Sequence, residues 1–309
     1  VKTLVTGGAG FIGSALARRL LRLGHEVYVV DDLSNSTREN VPEGVKEFWR
    51  MDFFDVAAYN AVQFDCIFHL AAPSSGSKSF ENPHKELEEH VWKTYELLEW
   101  AYSVSSRMKF IYTSSATVYG NQAEPVDELE PLSPKTPYAA GKAAAEAYVK
   151  YFANRGLQAN VVRLPAVYGP GQNLQNREQG MVSIYLSYIL AKKRVLVKGL
   201  PIRYRDFIYV EDAVEGMLAV MDNTMCRRTY NLSTGIGTTV HDLLMLMFRI
   251  SGHQEGYEVD ERGTPGDQFG IVLDPARARD ELDWEAKTDL ITGLKLMYAF
   301  EKERSEQNG

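Results

Sequence analysis

Hydrophobic residues along the first half of the chain fall into two alternating patterns. Short apolar runs bounded by turn-forming residues read as strands. They are KTLVTG at the start, HEVYVVDD, VKEFWRMD (residues 45–52), CIFHLAA, RMKFIYTSS and ANVVRLPAVYG. Between them, helical spacing covers Phe11 to Leu23, Pro83 to Tyr102 and Tyr138 to Arg155. Strand and helix in alternation predict a parallel α/β sheet. After about Tyr168 the pattern changes. GPGQNLQNREQG is polar, with Pro/Gly turn signals, and reads as a loop. A helix (MVSIYLSYILAKK), a short strand (RVLVKG), further mixed elements and a charged, frayed tail (EKERSEQNG) follow. The expected organisation is a doubly wound domain over residues 1–170 and a smaller mixed α/β lobe over 171–309. Segments around 206–235 are expected to return to the first domain. No internal repeat or low-complexity linker interrupts the chain.

Composition narrows the class. The 309 residues are 45% hydrophobic and 24% charged, which suffices for a large core without covalent staples. The formal charge of −7 argues against a nucleic-acid partner, which needs a broad basic surface. It leaves room for a local basic pocket holding one phosphorylated small molecule. Cys66 and Cys226 give neither a disulfide framework nor a metal-binding spacing, and Cys66, inside FDCIFHL, reads as a core residue. No apolar run approaches the roughly 20 residues of a membrane span. The chain opens directly into a strand, without the charged and then apolar segments of a secretion signal. A cytoplasmic protein with no membrane association and no metal is expected.

The first candidate chemistry is the glycine loop. VTGGAGFIGS places Gly7, Gly10 and Gly13 between the first strand and first helix. Such a loop turns tightly, lets a diphosphate reach the backbone and presents a helix N-terminus to it. The spacing is GxxGxxG, and its place at the start of a βαβ unit points to a dinucleotide. The second strand ends in Asp31-Asp32, 18 residues after Gly13. A carboxylate there accepts hydrogen bonds from ribose hydroxyls and repels a 2′-phosphate. Arg38 stands too far along to reverse this, so NAD is expected over NADP. Asp52, closing the third strand, is a weaker candidate for the adenine side.

The second candidate is SPKTPYAAGK, where Tyr138 and Lys142 lie four apart and share one helix face. A phenol is a poor base at neutral pH. A neighbouring ammonium and a cationic nicotinamide ring would favour its phenolate, making Tyr138 a proton acceptor for an alcohol undergoing oxidation. A surface Tyr and Lys would fit the same spacing were the glycine loop not present.

With these motifs in place, the chain resembles the extended short-chain dehydrogenase/reductase family, specifically its NAD-dependent sugar-nucleotide epimerases and dehydratases. The resemblance spans nearly the whole chain through TGGAGFIGS, DDLSNS, FHLAA, SSATVYG, YAAGK, VRLPAVYGPGQ, RDFIYVEDAVEG and RGTPGDQ. It implies a Rossmann doubly wound parallel sheet and a C-terminal lobe for the nucleotide-sugar substrate. It also implies bound NAD and a homodimer built from the two long helices of each subunit. It extends the cofactor site to Phe11, Ile12, Asn35, Ser36, Phe53, Leu70, Ala71, Ala72 and Pro165. It makes Ser115 the catalytic hydroxyl that holds the sugar O4 and relays its proton to Tyr138. In the family's 4,6-dehydratases the next two positions are an acid and a base. Here they are Ala116 and Thr117, and neither can do that work near neutral pH. Hydride-out, hydride-back epimerisation at C4 of a nucleotide-activated hexose is therefore expected. A dehydratase, an NADPH-consuming 4-keto-sugar reductase and a non-catalytic NAD sensor are the alternatives.

The resemblance also assigns substrate contacts to Ser75, Thr117, Arg205, Arg262 and Ile271. Arg205 matches the Arg that reaches the nucleotide diphosphate, although a salt bridge between lobes would serve the same residue. The RGTPGD segment carries Thr264 where the family has a second Arg, and Arg262 is displaced by two. Ile271 falls at a pocket-wall position that controls access for an acetamido group. His90 and Ala166 stand where the family has Asn. His90 reads as a buried structural histidine and not a base. Ser74, Ser75 and Lys78 in PSSGSKSF lie where a sugar or phosphate could be touched.

Overall fold

The structure is a computed structural model that describes residues 1–55, 59, 62–123 and 125–307. The predicted strands form as β1 (Lys2–Thr6), β2 (Glu26–Val30), β3 (Glu47–Trp49), β4 (Cys66–His69), β5 (Lys109–Ser115) and β6 (Gln158–Leu164). All six run parallel. A seventh strand, β10 (Thr229–Asn231), comes from the second half of the chain and pairs with β6. The sheet order is β10-β6-β5-β4-β1-β2-β3. The direction of winding reverses between β1 and β4, where doubly wound sheets open a crevice at their C-terminal edge.

Alternation along the central strands builds two cores. Val27, Val29 and Phe68 face one side, packed with Leu16, Ala17 and Leu20 of α1 (Phe11–Arg22) and Met217 and Leu218 of α6 (Val210–Asp222). Leu4, Tyr28, Val30 and Ile67 face the other, packed with Leu97 and Leu98 of α3 (Lys93–Val104) and Val149 and Phe152 of α4 (Pro137–Asn154). A strand buried on both faces reads as a continuous apolar run, which is why these segments were legible.

Two expectations change. ANVVRLPAVYG is two strands, since Pro165 has no N–H to extend a ladder. β7 (Ala166–Tyr168) leaves the main sheet and pairs with β9 (Tyr204–Tyr209) in a second one, with β11 (Gly237–Thr239) and β13 (Gly270–Ile271). The helix predicted from Pro83 is interrupted. It runs as α2 (Pro83–Glu86), a π-helical turn (Leu87–Trp92) and then α3. The second lobe also holds α5 (Met181–Leu190), α7 (Val240–Ser251), α8 (Ala276–Leu282), α9 (Leu290–Gln307) and a parallel pair, β8 (Val195–Lys198) with β12 (Tyr257–Asp260).

A buried ion pair ties the layers together. Arg163 on β6 grips Glu146 on α4 with two hydrogen bonds, Nε–Oε1 at 3.0 Å and Nη2–Oε2 at 2.6 Å, both residues being 1% exposed. Ser114 donates to the same carboxylate at 2.5 Å. Arg163 also donates to the Tyr119 hydroxyl at 2.6 Å, which donates in turn to Asn231 of β10 at 2.8 Å. Removing one partner of such a pair strands a buried charge. Arg163→Met is expected to cost about 3–5 kcal/mol, read by denaturant titration as a lower midpoint with an unchanged slope. A cost below about 1 kcal/mol would show that the network is not structural.

Candidate active site

The predicted cofactor residues gather at the C-terminal edge of the sheet. The turn after β1 runs straight into α1. A Cβ on Gly13 would lie 2.2 Å from the Gly7 carbonyl oxygen, so only glycine lets the helix start this close to the strand. Gly10 is different, because a Cβ there would meet nothing nearer than the Gly7 oxygen at 3.1 Å. Its outer side is open for another molecule to approach. Gly10 is the N-cap, it offers no side-chain cap, and the first turn of α1 carries no acid. The leading N–H groups of Phe11, Ile12 and Gly13 therefore lack intrahelical acceptors and face outward, as a diphosphate requires. These features fit a dinucleotide.

Asp31 follows directly on β2 and organises its surroundings. Its oxygens accept from Ala9 N (3.0 Å), Leu33 N (2.9 Å) and Ser36 Oγ (2.8 Å). The carboxylate thus holds the glycine loop against the 33–36 loop, with Oδ1 accepting twice and one lone pair of Oδ2 left for a ribose hydroxyl. Asp32 caps Ser34 N at 2.8 Å, and Asn35 Nδ2 donates to Ser34 Oγ at 3.4 Å. Asp52 receives Lys93 Nζ at 2.5 Å, with Glu89 the second partner of that ammonium at 2.8 Å. Phe53 is buried and lies 4.7 Å from the His69 ring, centroid to centroid. Leu70 and Ala71 donate their N–H groups to Thr6 Oγ1, which draws the 70–72 segment alongside the glycine loop.

The second half of the site stands on β5 and α4. Ser115 is the last residue of β5. Its Oγ accepts from Thr117 N at 3.2 Å and from Thr117 Oγ1 at 3.0 Å, so Thr117 orients the serine hydroxyl. Thr136 caps α4 through Ala139 N at 3.0 Å, and Pro137 opens the helix. That start fixes the face on which Tyr138, Lys142 and Glu146 recur. Burial pushes the Tyr138 phenol up to about 12, a hydrogen bond with Ser115 draws it down, and Glu86 raises it further. Lys142 is buried and donates to the Thr113 carbonyl at 2.8 Å, with its ammonium 5.0 Å from the Tyr112 ring centre. Burial lowers it to about 8, while Glu146 and Glu86 pull upward. The sequence suggested that Lys142 would favour the phenolate. In the structure Lys142 follows Tyr138 by one helical turn, with its ammonium held on the Thr113 carbonyl, and Ser115 and Glu86 also act on the phenol.

The second lobe docks on the Ser115 turn. Gln268 donates to the Gly120 carbonyl at 2.6 Å, and Asn121 accepts from Phe269 N at 2.8 Å. Ile271 stands in register with Arg205. It is 3% exposed and packs with Ala116, Val118 and Tyr119 behind the turn, not along an open wall. Arg205 pairs with Asp267 and donates to the carbonyls of Tyr204, Gln268 and Phe269. Burial and the neighbouring Arg203 lower it to about 10. Arg262 does not join the site, since its side chain is 89% exposed and paired with Asp260. Ser75 contacts Ser77 at 3.2 Å, and Ser74 donates to Gln179 at 2.7 Å, bridging the loop after β4 to the second lobe. Pro165 separates β6 from β7, which begins at Ala166.

Sequence reasoning missed Glu146, Arg163, Arg203 and Glu86. Two signals were available. Glu146 follows Lys142 by four on one face, and Arg163 is a lone charge inside an apolar strand.

Residues 3–233 match the model of the NAD-dependent epimerase/dehydratase family. The chain belongs to that family. This epimerase/dehydratase relative is 33% identical over 318 residues to a UDP-glucose 4-epimerase of Mycolicibacterium smegmatis, covering 99% of this chain and 100% of the other. Among solved structures it is similar to a UDP-glucose 4-epimerase from Thermotoga maritima with UDP-glucose. The TM-score there is 0.94 at 32% identity, with 99% and 100% of the two chains covered. It is also similar to a Thermus thermophilus UDP-glucose 4-epimerase in complex with NAD, with a TM-score of 0.88 at 32% identity and coverage of 97% and 98%. NAD is the cofactor of the family.

Burial lowers His90 to about 4, so the folded chain keeps it neutral where an unfolded one would protonate it. Between pH 6.5 and 4 the unfolded state binds the extra proton, so stability is lost as the pH drops through that window. His90 alone is expected to contribute a loss of about 3 kcal/mol across that window. His90→Asn should flatten this part of the stability–pH curve. An unchanged curve would show that His90 titrates normally.

Proposed function

We propose that the chain inverts C4 of a nucleotide-activated hexose through a transient 4-keto sugar, with UDP-glucose and UDP-galactose as the first pair and N-acetyl and uronate forms beside them. The observation that carries this reading is the Ser115–Tyr138 hydroxyl pair backed by Ala116 and Thr117. Two hydroxyls can hold O4 and move its proton. Ala116 and Thr117 supply no acid or base to eliminate water, and Thr117 is committed to Ser115.

NAD, when bound, supplies the hydride acceptor and donor. Gly10 and the N–H groups of Phe11, Ile12 and Gly13 would hold its diphosphate, and Asp31 would accept from a ribose hydroxyl. Ser115 orients the sugar O4. Tyr138 takes the C4 hydroxyl proton as the alcohol becomes a ketone and returns it when the opposite alcohol forms. Lys142, supported by Glu146, keeps a cation beside the pair. Arg205 would exchange Asp267 for the substrate diphosphate, a bidentate match. Ser75 would meet the sugar from the loop after β4, whereas Arg262 faces solvent and Ile271 is buried on β13, so neither contributes a direct contact in this arrangement. A homodimer and a cytoplasmic location belong to the same reading. The helices Pro83–Val104 and Pro137–Asn154 support the dimer by exposing Trp92, Tyr148 and Tyr151. Among the described residues no helix is long and apolar enough to cross a membrane.

Incubation with NAD and a panel of UDP sugars, followed by proton NMR of the anomeric signals, tests the assignment. The expected result is one C4 pair approaching the same ratio from both directions without net NADH. Accumulation of a 4-keto product, or consumption of NADPH, would replace it with a dehydratase or reductase. Tyr138→Phe and Lys142→Met should each lower kcat by about 10²–10⁴-fold with the fold intact by circular dichroism. Retained turnover in either variant would contradict the proton-carrying role of Tyr138 or the supporting role of Lys142.

A further inference from the structure

We propose that Glu86 and His90 act together as a positioning pair for Tyr138, the imidazole bracing the phenol ring and the carboxylate counterbalancing the Lys142 ammonium. The pair rests on the reading of Tyr138 as proton carrier. It occupies the junction between α2 and the π-helical turn Leu87–Trp92. Such turns rarely persist without a local demand and gather at functional sites.

Three observations converge there. The His90 ring meets the Tyr138 ring edge-to-face at 5.3 Å between centroids. His90 is 0% exposed and Glu86 5%, with His90 Nε2 lying 2.9 Å from Glu86 Oε2. That approach is poorly directed. Both His90 nitrogens and Glu86 Oε2 are buried atoms that complete no hydrogen bond. Buried polar atoms left so are costly, and an apolar pair would fill the same space with less penalty. The catalytic helix is also shaped to receive the pair. A Cβ on Gly141 would lie 3.0 Å from His90 Cβ and Cδ2 and 3.2 Å from the Glu86 carbonyl, so Gly141 lets the two helices close.

The charges around the pair point the same way. Tyr138 on α4 packs on the pair, Lys142 on α4 and His69 on β4 are the other titratable groups coupled to it, and Glu146 and Tyr112 neighbour Lys142 in turn. Glu86 raises both Tyr138 and Lys142. The one carboxylate therefore favours both the protonated phenol and the charged ammonium. His90 stays neutral at ordinary pH and touches both partners, the carboxylate through Nε2 and the Tyr138 ring edge-to-face.

Glu86→Gln removes the charge and keeps the shape. It should move the acid limb of kcat/KM to lower pH by about one unit and lower kcat while leaving the KM for the sugar nucleotide unchanged. In protein stripped of cofactor, the ¹³Cζ signal of Tyr138, assigned through Tyr138→Phe, should titrate at lower pH by a similar amount. That second readout needs no turnover, so it stands even if the epimerase assignment fails. His90→Gln keeps a polar side chain but loses the ring contact, and should lower kcat without moving the Tyr138 titration. In the unsubstituted chain the Tyr138 signal should shift when His90 is protonated in acid. Folded variants that change only the melting temperature would overturn the proposal. So would a Tyr138 signal indifferent to His90 in the unsubstituted chain, which decides the matter if neither variant folds.

Discussion

The bidentate grip of Arg163 on Glu146 is the contact on which the site depends. Glu146 lies four residues beyond Lys142 and eight beyond Tyr138, so holding its carboxylate sets the rotation of the whole α4 face. Ser114 shares that carboxylate one residue before Ser115. The strand end carrying the serine hydroxyl and the helix carrying the phenol are thus referred to one buried anion. Tyr119 and Asn231 extend the network to β10, which the chain supplies only after α5, β8 and β9 of the second lobe. The sheet therefore closes late, with residues from both halves. Burial makes the pair demanding, since either charge alone would be uncompensated in a dry interior.

The same balance of charge shapes the chemistry. Lys142 is a cation in a buried site, and it remains usable because Glu146 and Glu86 oppose its desolvation. The phenol sits in the opposite predicament. Burial and Glu86 keep it protonated, and Ser115 pulls it toward ionisation. A residue that must both take and return one proton needs such opposed influences, because a strong bias either way would stop half of the cycle.

Much of this was legible in the sequence, and the failures have physical causes. Strands buried on both faces announce themselves as apolar runs, and GxxGxxG and YxxxK carry geometry in their spacing. Asp31, Tyr138 and Lys142 follow from those signals, and Ser115 from the family resemblance. Pro165 broke a strand that looked continuous, since hydropathy does not count hydrogen-bond donors. The π-helical turn was invisible because its hydrophobic spacing differs little from that of an α-helix. Arg163 and Glu146 come from segments 17 residues apart and meet only through the fold. Arg262 and Ile271 were placed by resemblance, and the 257–271 region turns one to solvent and the other into the apolar cluster behind Ser115.

In the proposed mechanism the hydrogen leaving C4 is the one that returns. A nucleotide sugar carrying deuterium at C4 tests this directly. Conversion in ordinary water should give the epimer with its deuterium retained at C4. Loss of the label to solvent, or its appearance at C6, would contradict the mechanism and mean that proton abstraction or elimination governs the reaction.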